Sequence, residues 1–174
     1  MAHVSLVSLS AAEFVGDMDQ QLVATDGYAP HVTHLGRPAL AFDTTAEEAA
    51  TSASFVMPAI FAGGTLMATL HIYSATASSD GCVFDVCVEA ITPSTDTLDL
   101  EAADGFDAVN SSGDIDLAGT TAGDLISADV TLTNKDSVAV GDLVRIGVRR
   151  DCDHANDDAA GDIYLAAVEI WEST

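Results

Sequence analysis

Residues 149 to 162 read RRDCDHANDDAAGD and gather two arginines, one cysteine, one histidine and five aspartates into fourteen positions. Asp151, Asp153, Asp157, Asp158 and Asp162 offer the hard carboxylate oxygens that calcium selects, and turn carbonyls can complete a shell of about six to eight ligands. Their spacing departs from the twelve-residue calcium loop that carries Gly at its sixth position and Glu at its twelfth. Calcium is the one cofactor this stretch puts forward. The simpler reading is a hydrated loop joining two strands, with no cofactor at all. Cys152 and His154 would hold zinc only with two further ligands from elsewhere, and Cys82 is expected on an inward face among hydrophobes.

Other chemistries find less to work with. No GxSxG motif occurs, and His3, His31, His34, His71 and His154 have no neighbouring serine or cysteine in a recognisable frame, so nucleophilic catalysis lacks support. His31 and His34 form an HxxH pair, but on an extended segment residues three apart diverge from one face. A glycosidase needs two carboxylates about 5 to 9.5 Å apart, which 28 acidic residues leave open. Sugar platforms are scarce, with one tryptophan, Trp171, expected in core or interface, and Tyr28, Tyr73 and Phe106 as the remaining material. The chain is expected not to be an enzyme.

Arg145 and Arg149 fall on one face of a strand and Arg150 on the other. Outward-facing Asp85, Glu89 and Glu169 on other strands make cross-strand ion pairs the plain explanation, each worth about 0.2 to 1 kcal/mol. The sharper reading is a basic spot that docks an acidic neighbouring subunit. Tyr28, His31, His34, Arg37, Arg145, Arg149 and Trp171 are the candidate interface residues.

These side chains hang on a chain of 174 residues, the size of one domain. Twenty-eight acids against five lysines and arginines give a formal net charge of −23. Such a surface cannot neutralise phosphates, so neither nucleic acid nor an anionic membrane is an expected partner. No apolar run is long enough to span a bilayer, and the first residues lack the pattern of a secretory signal. Three cysteines, Cys82, Cys87 and Cys152, form no CxxC pair and are expected as free thiols, because Cys82 and Cys87 point to opposite faces of one strand.

Period-two alternation recurs in run after run. LMATLHIYSA sets Leu66, Ala68, Leu70 and Ile72 against Met67, Thr69, His71 and Tyr73. CVFDVCVEA sets Cys82, Phe84, Val86 and Val88 inward against Asp85, Cys87 and Glu89. LISADVTLTN does the same with Ile126, Ala128, Val130 and Leu132. With HVSLVSL at the start, ALAFD at 39–43, SASFVMP at 52–58, LVRIGVRR at 143–150 and IYLAAVEIWE at 163–172, about eight strands are expected. The expected fold is all-β: an antiparallel β-sandwich, jelly-roll-like, with a closed barrel as the alternative. Residues 1–36 are expected to hold a strand and an extended arm or loop, and 37–174 the sandwich. The Asp-, Ser- and Gly-rich stretch 93–123 is a second long connection.

The run ALAFDTTAEEAATSASFVMPAIFAGGTLMATLHIYSA, then GCVFDVCVEAI, then AVGDLVRIGVRRDCDHANDDAAGDIYLAAVEIWE, resembles a type of small all-β virion protein of tailed bacteriophages. The resemblance covers residues 39 to 172 and includes no catalytic motif. It implies a jelly-roll-like virion component, foremost a capsid decoration (cement) protein that stabilises the assembled head. Its partner would be the major capsid protein of the same virion, its own state a homo-oligomer with a trimer favoured. Its location would be the capsid surface after synthesis in the host cytoplasm. The alternative is a fibre, receptor-binding or carbohydrate-binding β-sandwich module.

Overall fold

A computed structural model describes residues 2–15, 27–76, 80–100 and 105–174. In chain order its strands are β1 (His3–Ser10), β2 (Phe14–Val15), β3 (Gly27–Tyr28), β4 (His31–His34), β5 (Arg37–Phe42), β6 (Glu48–Ser52), β7 (Phe55–Val56) and β8 (Thr65–Ser74). There follow β9 (Gly81–Cys82), β10 (Phe84–Ile91), β11 (Asn110–Ser111), β12 (Ile115–Asp116), β13 (Ile126–Thr131), β14 (Leu143–Arg150) and β15 (Ile163–Ser173). Among the described residues the helical content is one turn of 3-10 helix, Ala11–Glu13, and no helix is long and apolar enough to cross a membrane.

Two sheets pack face to face. The first runs β13-β8-β15-β5-β4, with β1 also paired to β15; the second runs β11-β10-β14-β6-β2, with β3 on β6 and β7 on β14. Nearly every pairing is antiparallel, the exception being the short parallel contact of β3 with β6. The all-β antiparallel sandwich is therefore as the alternation demands. Leu66, Ala68, Leu70 and Ile72 of β8 are all buried, as are Phe84, Val86 and Val88 of β10 and Ile163, Leu165, Val168 and Ile170 of β15. Together they form one core between the sheets. Burying such side chains from each sheet, at about 1.5–3 kcal/mol apiece, is what joins the layers.

Some elements differ from the sequence reading. The strand expected at 52–58 is shorter and split: β7 covers only 55–56, β6 lies at 48–52, and between them the chain breaks at Ala53, whose N–H donates to the Glu13 carbonyl instead of a ladder partner. Ala49, Ala50, Thr51 and Ser52 are all buried, so β6 has no wet row to alternate with its dry one. The outward row of β10 is likewise covered: Asp85 is 3% exposed, Cys87 0% and Glu89 1%. The strand read as 82–90 is two pieces, since the Val83 N–H is taken by the Asp157 carboxylate.

Of the expected N-terminal arm, residues 16–26 lie outside the described residues. The rest of it is paired: β1 with β15, β2 and β3 with β6, and β4 with β5. Leu9, Ala11 and Phe14 reach the core.

Candidate functional site

The Asp-rich loop closes on a cation that belongs to the chain. Arg150, the last residue of β14, is fully buried. Its Nε and Nη2 donate to the two oxygens of Asp157 at 3.0 and 2.7 Å. Its remaining donors reach the carbonyls of Phe42, Asp43, Ala159 and Gly161 at 3.0 to 3.3 Å. A planar fork with five donors can serve a carboxylate and several carbonyls together, which an ammonium could not. Asp158 accepts from the Gly81 N–H at 2.8 Å, tying the loop to β9. Thus Asp157 is committed to Arg150 and Asp158 to the backbone. The described residues hold no group of three or more His, Cys, Asp or Glu that could hold a metal ion, so Asp151, Asp153 and Asp162 are not drawn into one shell. Burial pushes the Cys152 thiol up to about 11 and Cys82 up to about 12. Neither is a nucleophile near neutral pH.

Arg145 and Arg149 lie on the outer face of the second sheet, each directly across from an acid of β10. Arg145 faces Glu89 and donates to it twice, at 2.6 and 2.8 Å; Arg149 faces Asp85 and donates at 2.5 Å, with Glu47 at 3.4 Å on its other side. Residues 107–111 run along the sheet edge beside β10, with the Asp107 N–H donating to the Val88 carbonyl, and residues 105 and 106 turn over this face. Phe106 packs on Ala49 and Cys87, the Arg145 guanidinium sits over the Phe106 ring at 5.1 Å, and the Gly105 N–H donates to Glu89. Burial would raise the Glu89 pKa, but the hydrogen bonds from Arg145 and Gly105 and the arginine charge outweigh it and hold the carboxyl below its ordinary value. The long connection thus acts as a cover. Of the aromatics weighed from the sequence, Phe106 is consumed here and Tyr28 stands exposed on the edge strand β3.

The outer face of the first sheet is open. Tyr73 of β8 and Tyr164 of β15 are cross-strand neighbours with ring centroids 5.0 Å apart and planes inclined by 35°. His34, at the end of β4, stands perpendicular to Tyr164 at 4.6 Å, and its Nδ1 lies 2.9 Å from the Tyr73 hydroxyl. These rings floor a cleft of about 430 Å³ lined by His34, Leu35, Arg37, Pro38, Tyr73, Gly123, Leu125 and Ala166, continuous through His34, Tyr73 and Gly123 with a smaller hollow at Tyr164. One lip is the β4–β5 hairpin, whose turn residues Leu35 and Gly36 have φ of 51° and 82°. A turn with both φ positive matches strand twist, and glycine meets it freely, but in leucine it costs about 1–3 kcal/mol. Leu35 is nonetheless 96% exposed there, so the strained residue projects from the rim. The opposite lip carries Leu125, also exposed. Burial raises the Tyr73 pKa, Tyr164 adds to this, and the Arg37 charge opposes it.

About 20 Å further along the same face, Trp171 stacks on His3 at 4.2 Å and donates from Nε1 to Thr69 Oγ1 at 2.8 Å. The Thr69 hydroxyl in turn donates to Asp129 Oδ1 at 2.5 Å. Between the two aromatic ends His71 and Ser127 are in hydrogen-bond contact at 3.0 Å.

The structure therefore brings together His34 and Arg37 from the candidate set and leaves His31, whose Nε2 meets the Phe14 carbonyl at 2.9 Å, at a different place. Tyr164 went unselected in the sequence. Its signal was there, since the alternation of IYLAAVEI puts it on the outward row, but only the strand register shows that it meets Tyr73.

No protein-family model matches the chain, and no curated protein matches its sequence. Among solved structures the chain is similar to the xylan-binding module CBM15, with a TM-score of 0.51 and 11% identity over 98% of each chain. It is also similar to TmCBM27, a carbohydrate-binding module described for specific mannan recognition, with a TM-score of 0.50 and 12% identity over 100% of each chain. A further likeness, to the CBM22-1 and GH10 modules of xylanase 10B from Clostridium thermocellum, has a TM-score of 0.47 and 10% identity, and this chain spans 28% of that one. What the chain shares with the first two, at 11 and 12% identity, is the antiparallel jelly-roll sandwich itself.

Proposed function

We propose that the protein is a non-catalytic carbohydrate-binding module that holds a glycan against the outer face of its first sheet, with Tyr73 and Tyr164 as the platform. The observation that carries this reading is the open pair of tyrosine rings on the cleft floor. A pyranose ring presents C–H groups on its faces and hydroxyls at its edge. Aromatic faces cover the first at little entropic cost, because each ring has few torsions to fix. The Tyr73 hydroxyl and His34 border the place where sugar hydroxyls would fall. The sandwich that carries the cleft is shared with modules that bind xylan and mannan. This favours the alternative role, a carbohydrate-binding module, over the capsid decoration protein that the sequence resemblance implied.

Binding rather than hydrolysis also fits the lining. Glycoside cleavage takes two carboxylates flanking the scissile bond, and no Asp or Glu is among the described residues that line this cleft.

The test is affinity electrophoresis of the purified protein in gels containing soluble xylan, mannan, mixed-linkage glucan or a pectic polysaccharide. At least one polymer should retard the protein, and Y73A together with Y164A should abolish the retardation while the far-ultraviolet spectrum stays that of a β-sandwich. Retardation by none of these polymers, or retardation unchanged in the double variant, would overturn the proposal.

A further inference from the structure

The chain has five lysines and arginines against its 28 acids. Four are committed. Lys135 donates to the Gly64 carbonyl at 2.9 Å and lies over the Phe61 ring. Arg145 and Arg149 hold the buried acids of β10, and Arg150 is enclosed with Asp157. The fifth, Arg37, begins β5 directly after the Leu35–Gly36 turn, is exposed, and forms no ion pair with the described residues. It borders the aromatic cleft, whose described lining holds no acid, and its field reaches the Tyr73 hydroxyl.

A ligand that lies on Tyr73 and reaches this lip takes water away from a guanidinium. Removing a cation from water is costly unless the ligand brings a compensating anion. A neutral sugar offers only hydroxyls, whereas a carboxylate offers two coplanar oxygens that match the guanidinium fork. We infer that the cleft selects an acidic glycan, with a uronate carboxylate on Arg37 and the sugar ring on Tyr73 and Tyr164. This rests on the carbohydrate-binding reading above. The overall charge of −23 repels a polyanion at long range, but at about 0.15 M salt such repulsion is screened beyond about 8 Å, while the contact at Arg37 is short.

The test pairs each acidic polymer (polygalacturonate, alginate, glucuronoxylan) with its carboxyl-reduced counterpart, titrated calorimetrically at 0.15 M salt with wild type, R37Q and R37K. Wild type should bind one acidic polymer about fivefold more tightly than its reduced form, the size of one well-placed, part-exposed charge pair. R37Q should lose that preference while still binding the reduced form, and R37K should restore part of it. Equal binding of acidic and reduced forms, a preference that survives in R37Q, or binding confined to neutral polymers overturns the inference and leaves the carbohydrate-binding reading standing. Binding to no polysaccharide at all overturns both.

Discussion

On the second sheet the outward side chains are acids and arginines placed directly across strands, and a loop lies over them. On the first sheet the corresponding rows carry Tyr73, Tyr164, His71 and Trp171, all partly exposed, with Thr69 buried among them. Both rows look alike as patterns of wet residues between dry ones. What separates them is whether the polar groups can satisfy one another in pairs. Glu89 with Arg145 and Asp85 with Arg149 leave little for water to do, so a segment carrying Phe106 can settle on them. Tyr73 and Tyr164 instead pair with each other and with His34, without a charge across the strand, and stay partly exposed in the described chain.

The sharpest way to break this contrast is R145M. Removing the arginine leaves the Glu89 carboxylate, 2% exposed, without its partner; because Arg145 is itself 31% exposed, the loss falls at the low end for a broken buried pair, about 3 kcal/mol in urea denaturation. Glycan binding should be unaffected, since nothing on the first sheet is touched. A variant as stable as wild type would mean that the covered face contributes no more than an ordinary surface pair.

Acid should reveal the same pair with a definite sign. The folded-state pKa of Glu89 lies below its ordinary value of 4.5. Its contribution is therefore fully present above that value and is lost as pH falls through the depressed folded one. Glu47 and Asp136, whose pKa values burial pushes up, act the other way. In R145M the hydrogen bond from Gly105 still opposes burial, but the arginine's bonds and charge are gone, so the Glu89 carboxyl protonates more readily than in wild type. The stability gap between R145M and wild type should narrow as pH falls from 7 to the carboxylate range. A gap independent of pH would count against a charge-based account.

The smallest effect is expected on the open face. T69V removes the link between Trp171 and Asp129, both of which keep access to water, so about 1 kcal/mol should be lost. The fluorescence of the single tryptophan should shift with it. A loss as large as that of R145M would erase the distinction between the two faces.

The comparison also marks what alternation can and cannot convey. The dry rows of β8 and β10 were readable residue by residue, because a period of two fixes which side chains share a face; in β15 a bulge between Leu165 and Ala167 shifts that period, so its row Ile163, Leu165, Val168 and Ile170 was not. β6 was missed because Ala49 and Ala50 have too little bulk to mark an inward row. Cross-strand pairing of Arg145 and Arg149 with acids of β10 was readable as chemistry, but the burial of those pairs was not. It depends on Phe106 and Gly105 turning over the face from a segment that pairs along the edge of β10, and nothing in an Asp- and Ser-rich stretch announces a cover. The cleft lies in the same category. Tyr73 and Tyr164 are 91 positions apart and His34 belongs to a third strand, so only the register joins them.

Arg150 carries one further consequence. A loop rich in aspartate that organised itself around a divalent ion would loosen whenever citrate, phosphate or a scarce medium drew that ion away. Here the positive centre is a guanidinium that is covalently part of β14, so it cannot itself be exchanged for magnesium or stripped by EDTA. The junction where β14 ends beside β5 and β9 is thus held by a charge that belongs to the chain itself.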